Sequence, residues 1–144
     1  MIILDTNVVS EGLRVAPDCR VLAWLDAQDI ETLFLTTISL AELLYGVAAL
    51  PDGKRKETLR VALEDRLVGL FSGRFLSFDT DASPAYASAR ARAKADGYAL
   101  GAADGYIAGI AAARGFMVAT RDVAPFEKSG VPVINPWTSE APLP

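Results

Sequence analysis

Met1-Ile2-Ile3-Leu4-Asp5-Thr6-Asn7 runs three aliphatic residues straight into a carboxylate and two small polar side chains. A β-branched apolar run with no polar alternation reads as a central strand of a parallel sheet, buried on both faces. The polar triplet then marks its carboxyl end, where open α/β sheets take their ligands. Phe116-Met117-Val118-Ala119-Thr120-Arg121-Asp122 follows the same grammar. If these strands are parallel neighbours, Asp5 and Asp122 face one crevice.

Outward from these two strands the chain alternates strand-like and helical segments. Glu31 to Thr36, Arg74 to Phe78 and Val131 to Ile134 read as further strands. Asp18 is placed to cap a helix carrying Val21, Leu22, Trp24 and Leu25 on its apolar side. Ile38 to Leu50 has leucines and Val47 at three- and four-residue spacing, with Thr37 or Ser39 as cap. Lys54 to Phe71 carries Leu59, Leu63, Leu67 and Leu70 on one stripe until Gly73 stops it. Ser83-Pro84 offers a cap and a first-turn proline for the alanine-rich helix that ends at Asp96-Gly97. Gly101 to Arg114 is the next helix, and Val123 to Ser129 a short helical turn. The alternation predicts an α/β fold: a mostly parallel, doubly wound sheet with helices on both faces.

A chain of 144 residues with 51% hydrophobic side chains is expected to form one domain around one core, followed by a mobile tail over 138–144. No stretch approaches the roughly 18 uninterrupted apolar residues of a membrane span, and Met1 leads into a strand instead of a signal-peptide pattern, so a cytoplasmic location is expected. Cys19 is the one cysteine and there is no histidine. Ser-His-Asp and Cys-His nucleophilic sites and Cys/His zinc cages are thereby excluded. Acid–base or metal chemistry here has to run on carboxylates. A net charge of −4 argues against a broad basic footprint for nucleic acid, so a nucleic-acid substrate needs local basic patches or metal ions.

Two acids fall where a surface helix would not put them. Glu42 has Ile38, Tyr45, Gly46 and Ala49 as its helical neighbours, and Asp104 has Ile107, Ala108 and Ala111, so both are expected on packed faces. An isolated buried carboxylate costs several kcal/mol or loses its charge. One or two Mg²⁺ or Mn²⁺ ions held by oxygen side chains resolve that difficulty. Each acid also has a plainer reading: Asp5 as a helix cap, Glu42 as an interfacial residue, Asp104 as a first-turn acid favoured by the macrodipole, Asp122 as a turn residue. Gly46, Gly105 and Gly109 read as close-packing positions between helices.

Ile3-Leu4-Asp5-Thr6-Asn7, Ser39-Leu40-Ala41-Glu42-Leu43, Ala103-Asp104-Gly105-Tyr106-Ile107-Ala108, Thr120-Arg121-Asp122 and Asn135-Pro136-Trp137, in this order, resemble the PIN-domain ribonucleases. Their spacing is especially similar to the FitB and VapC toxins of type II toxin–antitoxin modules. The resemblance implies a PIN-like three-layer fold over residues 1–137 and divalent-metal-dependent cleavage of single-stranded RNA. By position, Asp5, Glu42 and Asp104 match the three acids such enzymes rely on most and Asp122 matches the fourth. Thr6 and Thr120 match the small hydroxyl positions beside them, and Asn7 completes the group. Many relatives have Asn where Asp122 stands and an acid just before the phenylalanine of Pro125-Phe126. Further implications are a homodimer and a small antitoxin with a DNA-binding end, which is expected to place a basic side chain among the acids.

The mechanism expected from these residues is hydrolysis by a metal-activated water, with Asp5, Asp104 and Asp122 as ligands and Glu42 orienting the water or completing the shell. Lys54, Arg55, Lys56 and Arg60, or Arg90, Arg92 and Lys94, are candidates for steering the RNA backbone; solvated helix faces are the plain alternative. Two rival readings remain: a phosphatase with Asp5 as nucleophile, which usually has a second Asp where this chain has Asn7, and a catalytically inactive domain that binds a partner.

Overall fold

Successive side chains of a strand point to opposite faces, and in this chain that alternation separates two cores. The computed structural model describes residues 1–140. Its strands are Ile2–Leu4 (β1), Leu33–Thr36 (β2), Phe75–Leu76 (β3), Met117–Ala119 (β4) and Val133–Ile134 (β5). They form one parallel sheet in the order β3-β2-β1-β4-β5. The helices are Thr6–Gly12 (α1), Cys19–Asp26 (α2), Thr37–Ala48 (α3), Lys54–Val61 (α4), Val68–Leu70 (α5), Ala82–Ala95 (α6), Ala102–Arg114 (α7) and Ala124–Ser129 (α8). The sheet therefore lies between two helical layers, as the alternation predicts.

Ile3 pairs with Phe34 on one side and Val118 on the other, and Leu4 pairs with Ala119. Leu4, Leu33, Leu35 and Ala119 belong to a cluster with Val8, Trp24, Leu43 and Leu63 from the first helical layer. Ile3 and Val118 belong to a second, with Ala89, Ile107, Ile110 and Phe126 from α6, α7 and α8. The single core expected from the sequence is thus two, one on each face of the sheet. Ile3, Leu35, Ile107, Ile110 and Phe126 are fully buried, each contributing about 1.5–3 kcal/mol of transfer free energy.

Local boundaries depart from the sequence reading wherever a side chain competes for the cap. Thr36, not Thr37 or Ser39, caps α3, its Oγ1 accepting the Ser39 N–H at 3.0 Å. α6 starts before Ser83-Pro84, because the Asp79 carboxylate accepts the Ala82 N–H at 3.0 Å. Ile30–Thr32 form a 3-10 turn capped by Asp29, so the second strand begins only at Leu33. The helix expected over 54–71 passes from α4 through a π-helical stretch, Ala62–Leu67, into α5. The wider turn shifts its stripe, and Leu70 emerges 56% exposed. Of the tail expected from residue 138, Thr138 and Ser139 donate their N–H groups to the Asn135 carbonyl at 3.1 and 2.9 Å, and residues 141–144 lie outside the described residues. Among the described residues no helix is long and apolar enough to cross a membrane.

Of the three glycines that the sequence suggests as close-packing positions, two are such positions. A Cβ on Gly105 would stand 2.8 Å from Tyr86 Cε2, and one on Gly109 would stand 2.9 Å from Tyr86 Cβ and 3.0 Å from the Ala82 carbonyl. Gly46 is the exception, exposed on α3 with nothing near. Gly109→Ala is therefore expected to destabilise by about 1–3 kcal/mol, because helix backbone has to move. Gly46→Ala is expected to stabilise by up to about 1 kcal/mol through helix propensity. Urea unfolding of both variants checks the opposite signs.

Candidate active site

Asp5 is the first residue beyond β1, and its N–H donates to the Ala119 carbonyl at 3.0 Å. That bond sets it beside Thr120, the first residue beyond β4. The Asp5 side chain has two jobs. Oδ1 caps α1 by accepting the Thr6 N–H at 2.8 Å, while Oδ2 accepts the Thr120 hydroxyl at 2.8 Å. Asn7 Nδ2 reaches the same Oδ2 at 3.4 Å. Burial pushes the Asp5 carboxyl above its ordinary pKa; the bonds from Thr120 and Thr6 oppose this, and the negative charges of Glu42 and Asp122 add to it.

Thr120 is the hub. Fully buried, its hydroxyl donates to Asp5 and accepts from Asn7 Nδ2 at 3.0 Å and from the Asp122 N–H at 3.1 Å, which uses its whole hydrogen-bonding capacity. Asn7 Oδ1 in turn accepts the Arg121 N–H at 3.2 Å. Across the crevice the Thr6 hydroxyl donates to Glu42 Oε2 at 2.8 Å. Asp104, in the first turn of α7, is half-buried. Burial first, and then the charges of Asp5, Asp122 and Glu42, push its carboxyl up to about 6.

These acids share an open cleft of about 540 Å³. Parallel pairing of β1 with β4 brings Asp5 and Asp122 there as expected, and Glu42 and Asp104 arrive from α3 and α7. Thr6, Asn7 and Thr120 are neutral donors, the first to Glu42 and the other two to Asp5. The plain readings of Asp5 and Asp104 are also true, since one is a cap and the other a first-turn acid; neither excludes a place in the cleft. Glu42 needs a correction. Its helical neighbours Tyr45, Gly46 and Ala49 are exposed, as it is itself, so it stands on an open rim and not on a packed face. Among the basic clusters, Lys56 pairs with Asp52 and Arg60 with Glu57 and Glu64, while Arg90 lies over the Tyr86 ring and donates to its hydroxyl.

The sequence reading missed Ser10, Glu11 and Arg14, which also line the cleft. Their signal was present: they follow Thr6 and Asn7 at three- and four-residue spacing along α1. Glu11 is buried but differs from the four acids in having a cation as partner, Arg14. The Asp18 N–H at 2.8 Å, helped by Arg14 at 3.3 Å, holds its carboxyl below the usual range. Among the described residues no Lys or Arg is ion-paired with Asp5, Glu42, Asp104 or Asp122.

Carboxylates and hydroxyls are donors for hard cations. Among the described residues, no three acidic side chains are disposed to close on a single ion. Mg²⁺ does not require such a cage, because it retains several waters and takes one or two carboxylates together with substrate phosphate. Burial and, after it, repulsion by the neighbouring acids raise Asp104, and a cation would relieve the repulsion, so the residues fit the ion.

The raised carboxyl of Asp104 has a stability consequence. The folded state holds this proton more tightly than the unfolded chain, so the contribution is present at low pH and is lost as pH rises from 3.8 to about 6. Asn mimics the protonated form throughout. In the presence of EDTA, Asp104→Asn is therefore expected to be more stable than wild type by about 1 kcal/mol at neutral pH, allowing for solvent screening of a half-exposed group. The gain should vanish near the ordinary carboxyl pKa. Urea unfolding at both pH values measures it.

A family model for the PIN domain matches residues 2–130. VapC ribonuclease Y4jK of Sinorhizobium fredii is 55% identical over 137 residues, covering 95% of this chain and 98% of that protein. Toxin FitB of Neisseria gonorrhoeae is 48% identical over 137 residues, covering 95% and 99%. The structure of FitAB bound to an IR36 DNA fragment superposes with a TM-score of 0.93 at 46% identity, covering 97% of this chain and 98% of the matched one. A likeness this extensive, in a parallel sheet whose strand ends gather Asp5, Glu42, Asp104 and Asp122, means that the chain belongs to the PIN-domain family.

Proposed function

We propose that this chain is the toxin of a type II toxin–antitoxin module, an endoribonuclease that hydrolyses single-stranded regions of RNA with one or two Mg²⁺ or Mn²⁺ ions. The observation that carries the reading is that four acids line one cleft, Asp5 and Glu42 held there by hydroxyls and a backbone N–H, and that among the described residues no Lys or Arg is ion-paired with any of the four. The names of the relatives, a ribonuclease and a toxin, support the same reading. The FitAB complex on DNA supports a small antitoxin partner with a DNA-binding end, and a homodimer within the complex. Such an antitoxin would place a basic side chain among the acids.

Asp5, Asp104 and Asp122 would hold the one or two ions, one or two carboxylates directly on each and the rest through its waters, with Glu42 completing the shell or orienting water. When bound, the ion supplies charge neutralisation at the phosphodiester and a more acidic water. The chain's own part is preorganisation. Asp5 cannot rotate without losing the α1 cap and its bond to Thr120, so both its oxygens keep fixed directions. Thr6 couples that cap to Glu42: its N–H holds Asp5 and its hydroxyl holds Glu42. Asn7 ties the Arg121 backbone to Thr120 and thereby fixes the start of the Asp122 turn. No side-chain nucleophile is needed. A phosphatase-type attack by Asp5 fits poorly, since each of its oxygens already accepts a hydrogen bond and the residue is 7% exposed.

Incubation of the purified chain with a mixed RNA pool tests this reading. Cleavage is expected in Mg²⁺ or Mn²⁺ and absent in EDTA, and Asp5→Asn or Asp104→Asn should each slow it by at least about a hundredfold. No cleavage of the pool, together with no toxicity on expression, would turn the assignment to an inactive binding domain.

A further inference from the structure

Thr120-Arg121-Asp122 and Asn135-Pro136-Trp137 each contain a residue that the acidic cluster leaves unused, and the fold brings those two together. The Arg121 guanidinium lies over the Trp137 indole, 4.9 Å from the ring centroid. We propose that Arg121, held over Trp137, is a substrate-binding residue that grips the phosphate of the RNA at the mouth of the acidic cleft. The proposal rests on the nuclease reading and adds to it the protein group that meets the polyanion.

Both partners are fixed from below. The Arg121 N–H donates to Asn7 Oδ1 at 3.2 Å, between Thr120 and Asp122. Trp137 follows an Asx turn in which Asn135 Oδ1 accepts its N–H at 3.0 Å, and its indole is buried in the cluster that contains Leu4 and Val8. The indole is therefore a rigid floor and the guanidinium is the exposed part. A guanidinium is planar and presents its N–H groups as a fork around the edge of that plane, the geometry that takes two oxygens of one phosphate.

Charge supports the same use. Arg121 lines the cleft with five carboxylates, one of them the adjacent Asp122, yet among the described residues it forms no ion pair. Arg14, the other cation of the cleft, is committed to Glu11 at 3.3 Å. A guanidinium that simply neutralised the acids would fold onto them and occupy the place of a metal ion. Stacking on Trp137 keeps it beside the cluster with its donors free. For a chain of net charge −4, recognition of a polyanion requires such a local cation.

The test uses the full chain with Arg121→Ala and Arg121→Lys; the side chain is exposed and its structural hydrogen bond comes from the backbone, so both variants should fold. Binding of a short fluorescein-labelled single-stranded RNA of mixed sequence is read by anisotropy in Ca²⁺, cleavage of the pool in Mn²⁺, and Mn²⁺ affinity by calorimetry. The Ala variant is expected to bind RNA about tenfold more weakly, the loss of one charge-assisted contact, with Mn²⁺ affinity unchanged. The Lys variant keeps the charge without the planar fork and should remain about threefold weaker than wild type. RNA binding by the Ala variant equal to wild type, a matching loss of Mn²⁺ affinity, or full restoration by Lys would each overturn the proposal. Wild-type RNA binding that depends on Arg121 without any cleavage would retire the nuclease reading and leave the phosphate contact standing. Wild-type protein that neither binds nor cuts RNA would remove both.

Discussion

A buried carboxylate held by neutral donors is the constraint on which this structure turns. Asp5 is 7% exposed, and its hydrogen bonds come from an amide N–H, a hydroxyl and a side-chain amide. Burying a charge without a counter-ion costs several kcal/mol in a protein. Charge-assisted hydrogen bonds, at about 1.5–3 kcal/mol each, offset part of that and leave the negative charge in place. A lysine or arginine at the same point would have balanced the charge and closed the site. The remaining deficit appears as raised carboxyl pKa values at Asp5 and Asp104.

The donors that hold Asp5 also join separate parts of the fold. Thr6 is the first residue of α1, Thr120 follows β4, and Asp5 itself is hydrogen-bonded across to Ala119. The parallel pairing of β1 with β4 is thus continued past the strand ends by side chains. A parallel sheet puts the helix starts of α1 and α3 immediately after β1 and β2, at the same edge. Asp5 and Thr36 are the corresponding caps, and Glu42 lies on the second of these helices. Site and scaffold therefore share residues, so the geometry of the acids is as rigid as the sheet edge that carries it.

The share of this that could be read in the sequence follows from how local each signal is. Ile3 and Leu4, and Val118 and Ala119, are buried on the two faces of the sheet, and unbroken apolar runs say so directly; Asp5 and Asp122 then follow from strand ends. Asp104 was legible because Ile107, Ala108 and Ala111 on its stripe are indeed buried. The same argument misplaced Glu42, since Tyr45, Gly46 and Ala49 are small or amphipathic and fit a solvent face as well as a packed one. The capping residues differ from the sequence reading by one to four positions because Thr36 and Asp79 compete with neighbours of the same chemistry, and only the backbone path decides among them. Arg121 on Trp137 was beyond reach: the contact joins two loops through the sheet order, which no local pattern encodes.

The opposition between an acidic chain and a polyanionic substrate is settled at short range. At physiological salt, charges farther than about 8–10 Å apart are largely screened, so a net charge of −4 matters less than what lies inside the cleft. There, four acids near one another repel any phosphate until a cation is among them. At 4 Å an opposite unit charge contributes about 1 kcal/mol in water and about 4 kcal/mol near a protein surface. One divalent ion cancels two of those four negative charges, and Arg121 at the rim offsets a third. On the proposed reading, a basic antitoxin side chain inserted among the same acids supplies positive charge without supplying hydrolysis. Inhibition and activation become two ways of neutralising one set of carboxylates, and the absence of a built-in cation beside Asp5 is what leaves both available.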